Sequence, residues 1–358
     1  MSEVAGKNNV TIRDVATRAL VSVGTVSRVL NNYPNVEADL RLRVLNAASE
    51  LGYSLRKRRA DQEPQFFTYN GQEERRILTH IAFCCRPVIS PSVPDSHNPY
   101  FSLMLRGVEA ECRRHNLHLI YRIIEDDASE LDYGRRMLAE SHADALLLIN
   151  FINEELVSGL LDLKLPSVLV DHYFPELALD MVSNENYNGS IRAVRYLIEK
   201  GHRKIGFING LAHYTVQRRL EGYRRALEEA GIPFNWDYVI KGDLTIDGGV
   251  NAAHEVARKG VDCTAYFCAN DQTAFGFLQG LRAHGLEVPR DISVVGFDDT
   301  ETARLVTPAL TTVRADPEGL GRMAVRKIIE RVNYPDLPVT QTLLYTSLVE
   351  RDSVRSLK

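Results

Sequence analysis

"TIRDVATRALVSVGTVSRVLNN", residues 11–32, decides how the rest of the chain is read. After Thr11, which forms a capping-box-like start with Asp14, the apolar residues Ile12, Val15, Ala16 and Ala19 recur at helical spacing. A second start at Ser22, carrying Thr25, Val26, Val29 and Leu30, comes only two residues later and stops at Asn31-Asn32. A third helix is expected from about Ala38 to Leu51, with Leu40, Val44, Leu45, Ala48 and Leu51 on one face and Gly52 beyond its end. Three short helices, two of them joined by a tight corner, describe an all-α helix-turn-helix head over residues 1–60. Two positions are unusual: Leu20 stands where such a corner usually takes glycine, and Gly24 where a reading helix usually offers a side chain.

Charge separates this head from the rest. The 358 residues carry a net charge of −4, yet residues 1–60 hold ten Lys/Arg against five Asp/Glu. A small basic head on a larger acidic body suits a phosphate-binding module attached to something else. With 44% hydrophobic residues the chain can fill two or three domain cores. Charged and polar residues near the start (Glu3, Lys7, Asn8, Asn9) leave no signal-peptide run, and no apolar stretch approaches membrane-spanning length, so a soluble cytoplasmic protein is expected. Cys84, Cys85, Cys112, Cys263 and Cys268 are an odd set without CxxC spacing and read as core thiols.

Residues 54–76 lose periodicity and read as linker, basic at Arg56-Lys57-Arg58-Arg59. Beyond them apolar runs such as "ADALLLIN" and "TAYFCAN" alternate with helical stretches, the signature of parallel sheets covered on both faces. About ten such strands exceed one ordinary sheet and imply two α/β lobes, each a doubly wound parallel sheet, with a ligand cleft at the strand ends. The last helix is expected over 317–333.

In a helix-turn-helix the start of the second helix faces the bases. Val23, Gly24, Ser27 and Arg28 are the exposed candidates, and Ser22, Thr25 and Asn31 are placed for phosphates. Arg28 alone can grip guanine with two hydrogen bonds. At the body's strand ends, Asp171, Asn270-Asp271 and Asp298-Asp299 place polar groups where a sheet interior would not want them. The plain alternative is a helix cap, which suits Asp271 and Asp299. Asp298, Asn270 and Arg219 together would suit a polyhydroxylated ligand, whose hydroxyls need both donors and acceptors. Catalysis finds no support: there is no GxGxxG after the first strand and no P-loop, HExxH or GxSxG. Ten scattered histidines, with His172 and His213 nearest the cleft, propose neither a base nor a metal site, and no cofactor is expected.

The chain resembles the LacI/GalR bacterial transcriptional regulators over roughly residues 11–352, through "TIRDVATRALVSVGTVSRVLNN", "GHRKIGFING", "RRLEGYRRALEEAGI" and "ANDQTAFGFLQGLRAHGLEVPRDISVVGFDDTETARLVTPALTTVRADPEGLGRMAV". That resemblance implies a periplasmic-binding-protein-like core and a homodimeric repressor on a roughly palindromic operator. It also implies a small effector, usually a sugar, between the lobes. Thr11 joins Ser22, Val23, Gly24, Thr25, Ser27, Arg28 and Asn31 as a DNA-contact candidate of the head, and the family's effector contacts carry over onto Arg219, Asn270 and Asp298, and further onto Asp171 and Tyr100. It further implies a linker at 61–76, lobe one at 77–182 plus 317–340 and lobe two at 183–316 plus 341–352.

The chain also departs from the family. Its corner reads Ala19-Leu20-Val21-Ser22 rather than Ala-Gly-Val-Ser, and a left-handed leucine would cost on the order of 1 kcal/mol. Gln62 stands where the family's hinge leucine falls, so Arg56, Lys57, Arg58 and Arg59 are assigned phosphate or minor-groove contacts instead. Leu244 replaces an aromatic platform after "KGD", Trp236 is assigned to packing, and "RPVISPSVPDS" is an insertion before "HNPYF". Two rival readings follow: a regulator whose co-repressor is a nucleobase or phosphorylated metabolite, and a degenerate solute-binding module without regulated DNA binding.

Overall fold

The computed structural model describes residues 10–30, 36, 38–51, 66–68, 75–86, 99–125, 127–211, 213–260 and 262–358. The chain divides into two compact units, Met1–Glu63 and Pro64–Lys358.

The first unit holds α1 (Ile12–Ala19), α2 (Val23–Leu30) and α3 (Ala38–Glu50). Asp14 accepts from both the Thr11 backbone N–H and its hydroxyl at 2.7 Å, closing the start of α1. Leu20 ends it at φ 54°, ψ 48°, a left-handed corner in which the Val21 N–H returns to the Ala16 carbonyl at 3.0 Å. Arg43 of α3 donates to the Ala19 carbonyl at 2.8 Å, satisfying another orphaned acceptor of that helix end. Val15, Ala16, Ala19, Val26, Val29, Val44, Ala47 and Ala48 form the core. Leu45, expected on the inner face of α3, is instead 47% exposed, because Ala47 takes the inward position.

The second unit carries two six-stranded sheets. Lobe one contains β3 (His80–Cys85), β4 (His118–Ile123), β5 (Ala145–Ile149), β6 (Ser167–Val170), β7 (Asp180–Asn184) and β13 (Gln341–Leu344), all parallel, in the order β13-β7-β6-β5-β3-β4. Lobe two contains β8 (Ile205–Ile208), β9 (Val239–Ile240), β10 (Ala265–Cys268), β11 (Ser293–Asp298), β12 (Thr311–Arg314) and β14 (Ser347–Val349). Its order is β14-β12-β11-β10-β8-β9, with β14 the antiparallel edge. Inner strands such as β5 are buried along their whole length, as sheets covered on both faces require.

The covers follow from the apolar stripes. In lobe one, α4 (Pro99–Arg114) and α11 (Pro317–Asn333) close one face, and α5 (Leu131–Glu140) and α6 (Glu154–Leu161) the other. In lobe two, α7 (Asn186–Glu199) and α8 (Tyr214–Glu229) cover one face, and α9 (Ile246–Lys259) and α10 (Asp271–Ala283) the other. The α4–α11 crossing is close enough that a Cβ on Gly107 would stand 2.0 Å from the Glu318 carbonyl oxygen, and one on Gly321 2.2 Å from that of Met104. All five cysteines are buried free thiols. Among the described residues no helix is long and apolar enough to cross a membrane, and no group of three or more His, Cys, Asp or Glu is placed to hold a metal ion.

Three expectations change. The linker at 61–76 ends in structure: β1 (Phe66–Thr68) and β2 (Arg75–Ile77) pair as an antiparallel ribbon within the second unit, short strands without an apolar run to announce them. The lobe boundaries at 182 and 340 move later, because Ser183 and Asn184 finish β7 and Gln341–Leu344 pairs with β7 in lobe one. The chain changes lobes at Glu185, between β12 and α11, and at Tyr345-Thr346. Two of these crossings are tied together, Thr346 donating to the Glu185 carbonyl at 3.2 Å and Arg192 pairing with the Glu185 carboxylate at 2.7 Å.

Candidate functional site

The strand ends of both lobes converge on a pocket open to solvent. Tyr100, Asp171, Arg219, Leu244, Asn270 and Asp298, singled out in the sequence, all line it. So do Arg86, Asn150, Leu211, His213, Thr215, Val216, Gln272 and Thr300. Of these His213 was singled out in the sequence, and Asn150 carries the same signal as Asp171, a polar residue closing an apolar run; Thr215 and Gln272 sit in first helical turns, where a polar residue is unremarkable.

Four lining residues share one backbone feature. Asn150, Asp171, Leu244 and Asp298 lie at φ 60°, 58°, 70° and 115°, a region disfavoured for side chains bearing a Cβ. Each terminates a strand or the loop after one, and the left-handed step turns its side chain or backbone toward the cleft.

Lobe one presents a network in which both oxygens of Asp171 are satisfied, while Asn184 Oδ1 is buried without a hydrogen-bond partner. Asp171 accepts from the Tyr100 hydroxyl at 3.0 Å and the Ser183 hydroxyl at 2.8 Å, and Asn184 donates to the Tyr100 oxygen at 2.6 Å. Burial holds the Asp171 carboxyl above the usual range, against the pull of these donors. Lobe two is built around Arg219, 6% exposed and stacked 3.7 Å over the Phe297 ring. Its Nε donates to Asn186 at 2.8 Å, and Nη1 donates to the Ala269 carbonyl. Its Nη2 stands 3.5 Å from Asp298 Oδ1, which is buried and has no hydrogen-bond partner. Burial raises the Asp298 carboxyl, as does the Asp171 charge, while Arg219 opposes the shift. Asn270 caps α10, accepting from the Thr273 N–H at 2.9 Å, and donates to the Leu244 carbonyl at 3.0 Å.

The cap expected of Asp271 therefore belongs to Asn270. Asp271 is wholly buried, accepting from the Thr300 N–H at 2.8 Å and the Thr312 hydroxyl at 2.6 Å, and burial raises its carboxyl. Asp299 is no cap either: it pairs with Arg314 at 2.7 Å and Arg351 at 2.5 Å. His213 and His172 lie ring to ring, centroids 5.5 Å apart, and burial with the Arg86 charge lowers them to about 3 and about 4.

On the head, Ser22, Val23, Gly24 and Arg28 are exposed, and Thr25 and Ser27 half-buried. Ser22 Oγ accepts from the Thr25 N–H at 3.1 Å and lies 2.9 Å from its hydroxyl, so the pair starts α2. A Cβ on Gly24 would meet nothing closer than Ser22 Oγ at 3.7 Å, so packing does not demand the glycine. Asn31, Arg56, Lys57, Arg58 and Arg59, with Gln62 and most of the insertion before Pro99, lie outside the described residues.

A helix-turn-helix head on a two-lobed core with a polar interlobe pocket defines a ligand-responsive DNA-binding regulator rather than an enzyme. Residues 11–54 match the bacterial regulatory proteins of the lacI family, and residues 194–354 a periplasmic binding protein-like domain. The chain belongs to the LacI family. The ribose operon repressor of Haemophilus influenzae is 31% identical over 349 residues, covering 97% of this chain and 99% of its own. The transcriptional repressor PurR of the same species is 31% identical over 356 residues, at 97% and 99% coverage. Among solved structures, the regulator CelR in complex with cellobiose matches at a TM-score of 0.71 and 29% identity, over 96% of this chain and 100% of that one.

Proposed function

We propose that the chain is a homodimeric repressor of a roughly palindromic operator, and that a carbohydrate in the interlobe pocket sets its operator affinity. The observation that carries the effector class is the pocket's mixture of groups. Carboxylates, amides, hydroxyls and a guanidinium from strand ends of both lobes supply the donors and acceptors that sugar hydroxyls need. The apolar lining is Leu211, Val216 and Leu244 beside the rings of Tyr100 and His213, and polar groups that pair with hydroxyls outnumber these rings. A solved relative binds cellobiose, which agrees with this class. A ligand held by both lobes favours their closed arrangement, and that differential affinity is what can bias DNA binding.

On the DNA side, Arg28 is assigned base contact, Val23 and Ser27 flank it, and Gly24 leaves one base position unread. Thr11, Ser22, Thr25 and Asn31 are assigned to phosphates. The basic run Arg56–Arg59 adds salt-sensitive affinity. Tyr100 and Asp171 shape the effector wall, while Arg219, Asn270 and Asp298 face the ligand, with Leu244 as an apolar side.

A gel shift with the full chain and its own upstream DNA, repeated with neutral sugars and purine bases, tests both parts. A specific shift altered by a sugar is the expected result. A shift altered only by a purine base overturns the effector class, and no specific shift at any salt concentration overturns the regulator. Arg28→Ala is expected to relax discrimination at one operator position by about 1–3 kcal/mol.

A further inference from the structure

Three side chains of the pocket have nothing to offer a hydroxyl, and they stand together. Leu211, Val216 and Leu244 all line it from lobe two. The Gly210 backbone is their floor: a Cβ there would lie 2.5 Å from Leu244 Cδ2 and 3.3 Å from Val216 Cγ1, so the two side chains meet over it. Leu211 comes next in the chain and, at 39% exposed, is the outer member of the corner.

Leu244 is held there against its backbone preference. Its φ of 70° is disfavoured for a residue bearing a Cβ, and glycine or asparagine would adopt it more readily. Its carbonyl accepts from Asn270 at 3.0 Å. On the other side Thr245 donates from its N–H and its hydroxyl to Asp243 at 3.0 and 2.6 Å, and the hydroxyl oxygen caps α9 at the Gly248 N–H. A locked, strained turn therefore presents an isobutyl group to a cleft whose other walls are polar.

The corner lies one helical turn from the guanidinium. Val216 and Arg219 are three residues apart on α8 and both line the pocket, which puts their Cβ atoms about 5–6 Å apart. One pyranose ring bridges that span: ring hydroxyls at Arg219 and Asp298 bring the substituent on C5 to Val216 and Leu244. Two polar side chains of the same wall are engaged within the protein, Asn270 Oδ1 accepting from the Thr273 N–H and the Thr215 hydroxyl lying 2.9 Å from His213 Nδ1. A hydroxymethyl group in the corner would lose water with little to replace it, whereas a methyl group gains from burial.

We infer that the effector is a 6-deoxyhexose, whose methyl group sits in the corner of Leu211, Val216 and Leu244 while its ring hydroxyls face Arg219, Asn270 and Asp298. This rests on the carbohydrate reading of the pocket.

Calorimetric titration of the full chain with matched pairs tests the inference: L-rhamnose and L-mannose, L-fucose and L-galactose, D-fucose and D-galactose, D-quinovose and D-glucose, with D-ribose and cellobiose beside them. The expected result is a pair in which the deoxy member binds about tenfold or more tighter than its 6-hydroxy parent. Leu244→Asn, whose side chain suits the left-handed backbone and offers a donor and an acceptor, should erase or reverse that difference, and Leu244→Met should retain part of it. Equal or weaker binding of the deoxy sugars, a preference that survives Leu244→Asn in a variant that still melts cooperatively, or binding of ribose or cellobiose alone overturns the deoxyhexose assignment and leaves the carbohydrate reading standing. If no sugar binds, the carbohydrate reading itself falls.

Discussion

Asp171 and Asp298 occupy matching places in the two lobes, and they are solved differently. Each follows or ends a strand at the cleft, each has a positive φ, and burial raises each carboxyl. Asp171 accepts from two hydroxyls, one at each oxygen, and sits 3% exposed. Asp298 keeps one oxygen without a hydrogen-bond partner beside a guanidinium 3.5 Å away. An unsatisfied buried acceptor costs about 1–3 kcal/mol, so the lobe-two site holds a deficit that a ligand donor can remove. One carboxylate therefore builds the wall, and the other waits for an occupant.

The largest effect expected from breaking this contrast is at Arg219, on which the open half depends. Arg219→Met leaves Asp298 and the Ala269 carbonyl buried without their partner. It should cost about 3–5 kcal/mol in urea unfolding and abolish effector binding. Next comes the direct pair. Asp171→Asn puts an amide, with one acceptor oxygen, where two hydroxyls converge, and is expected to cost about 1–3 kcal/mol while weakening effector only modestly. Asp298→Asn removes the charge that faces Arg219 3.5 Å away, though the amide can still turn its oxygen toward the guanidinium, so it should cost less than Arg219→Met yet weaken effector by about tenfold or more. Equal losses of effector affinity in the Asp171 and Asp298 variants would erase the distinction.

Acid titration sharpens it further. A carboxyl raised in the fold binds its proton more readily folded than unfolded, so its stabilising share is full below 3.8 and is lost as pH rises toward the raised value. His213 has the opposite slope: lowered to about 3, it stays neutral in the fold, and stability is lost as pH falls below its unfolded value of 6.5. His213→Gln should thus flatten the acid limb between pH 6.5 and about 3, by up to about 1.4 kcal/mol per pH unit. Urea midpoints across that range measure the change, and an unaltered limb would place the histidine's proton elsewhere.

Much of this was legible in the sequence because strand ends announce themselves. An apolar run that stops at Asp171, Asn270 or Asp298 fixes both the strand and the place where its ligand-facing group must lie. What was not legible depends on partners distant in the chain. Asp271 looks like a cap until Thr300 and Thr312 are seen to close over it, and Asp299 until Arg314 and Arg351 claim it. The edge strands β13 and β14 carry mixed polar and apolar residues, since an edge is only half-covered, so the lobe boundary near them could not be placed by periodicity.

Left-handed backbone also occurs outside the pocket, and there it makes the smallest prediction. Leu20 has nearly the φ of Asp171 but is 82% exposed, so its side chain gains little from burial. The hydrogen bonds of the corner run through backbone atoms of Ala16, Thr17, Leu20 and Val21, which any residue supplies. Leu20→Gly removes a conformational cost of about 1–2 kcal/mol and returns part of it as backbone entropy in the unfolded chain, for a net gain of about 0.5–1 kcal/mol. Thermal unfolding of the full chain, followed at the head's transition, reads that gain. At Asp171, by contrast, glycine would forfeit two hydrogen-bonded contacts and should destabilise. If Leu20→Gly also lowers stability, the leucine is making contacts that its exposure does not show, and the left-handed corner is not a strained one.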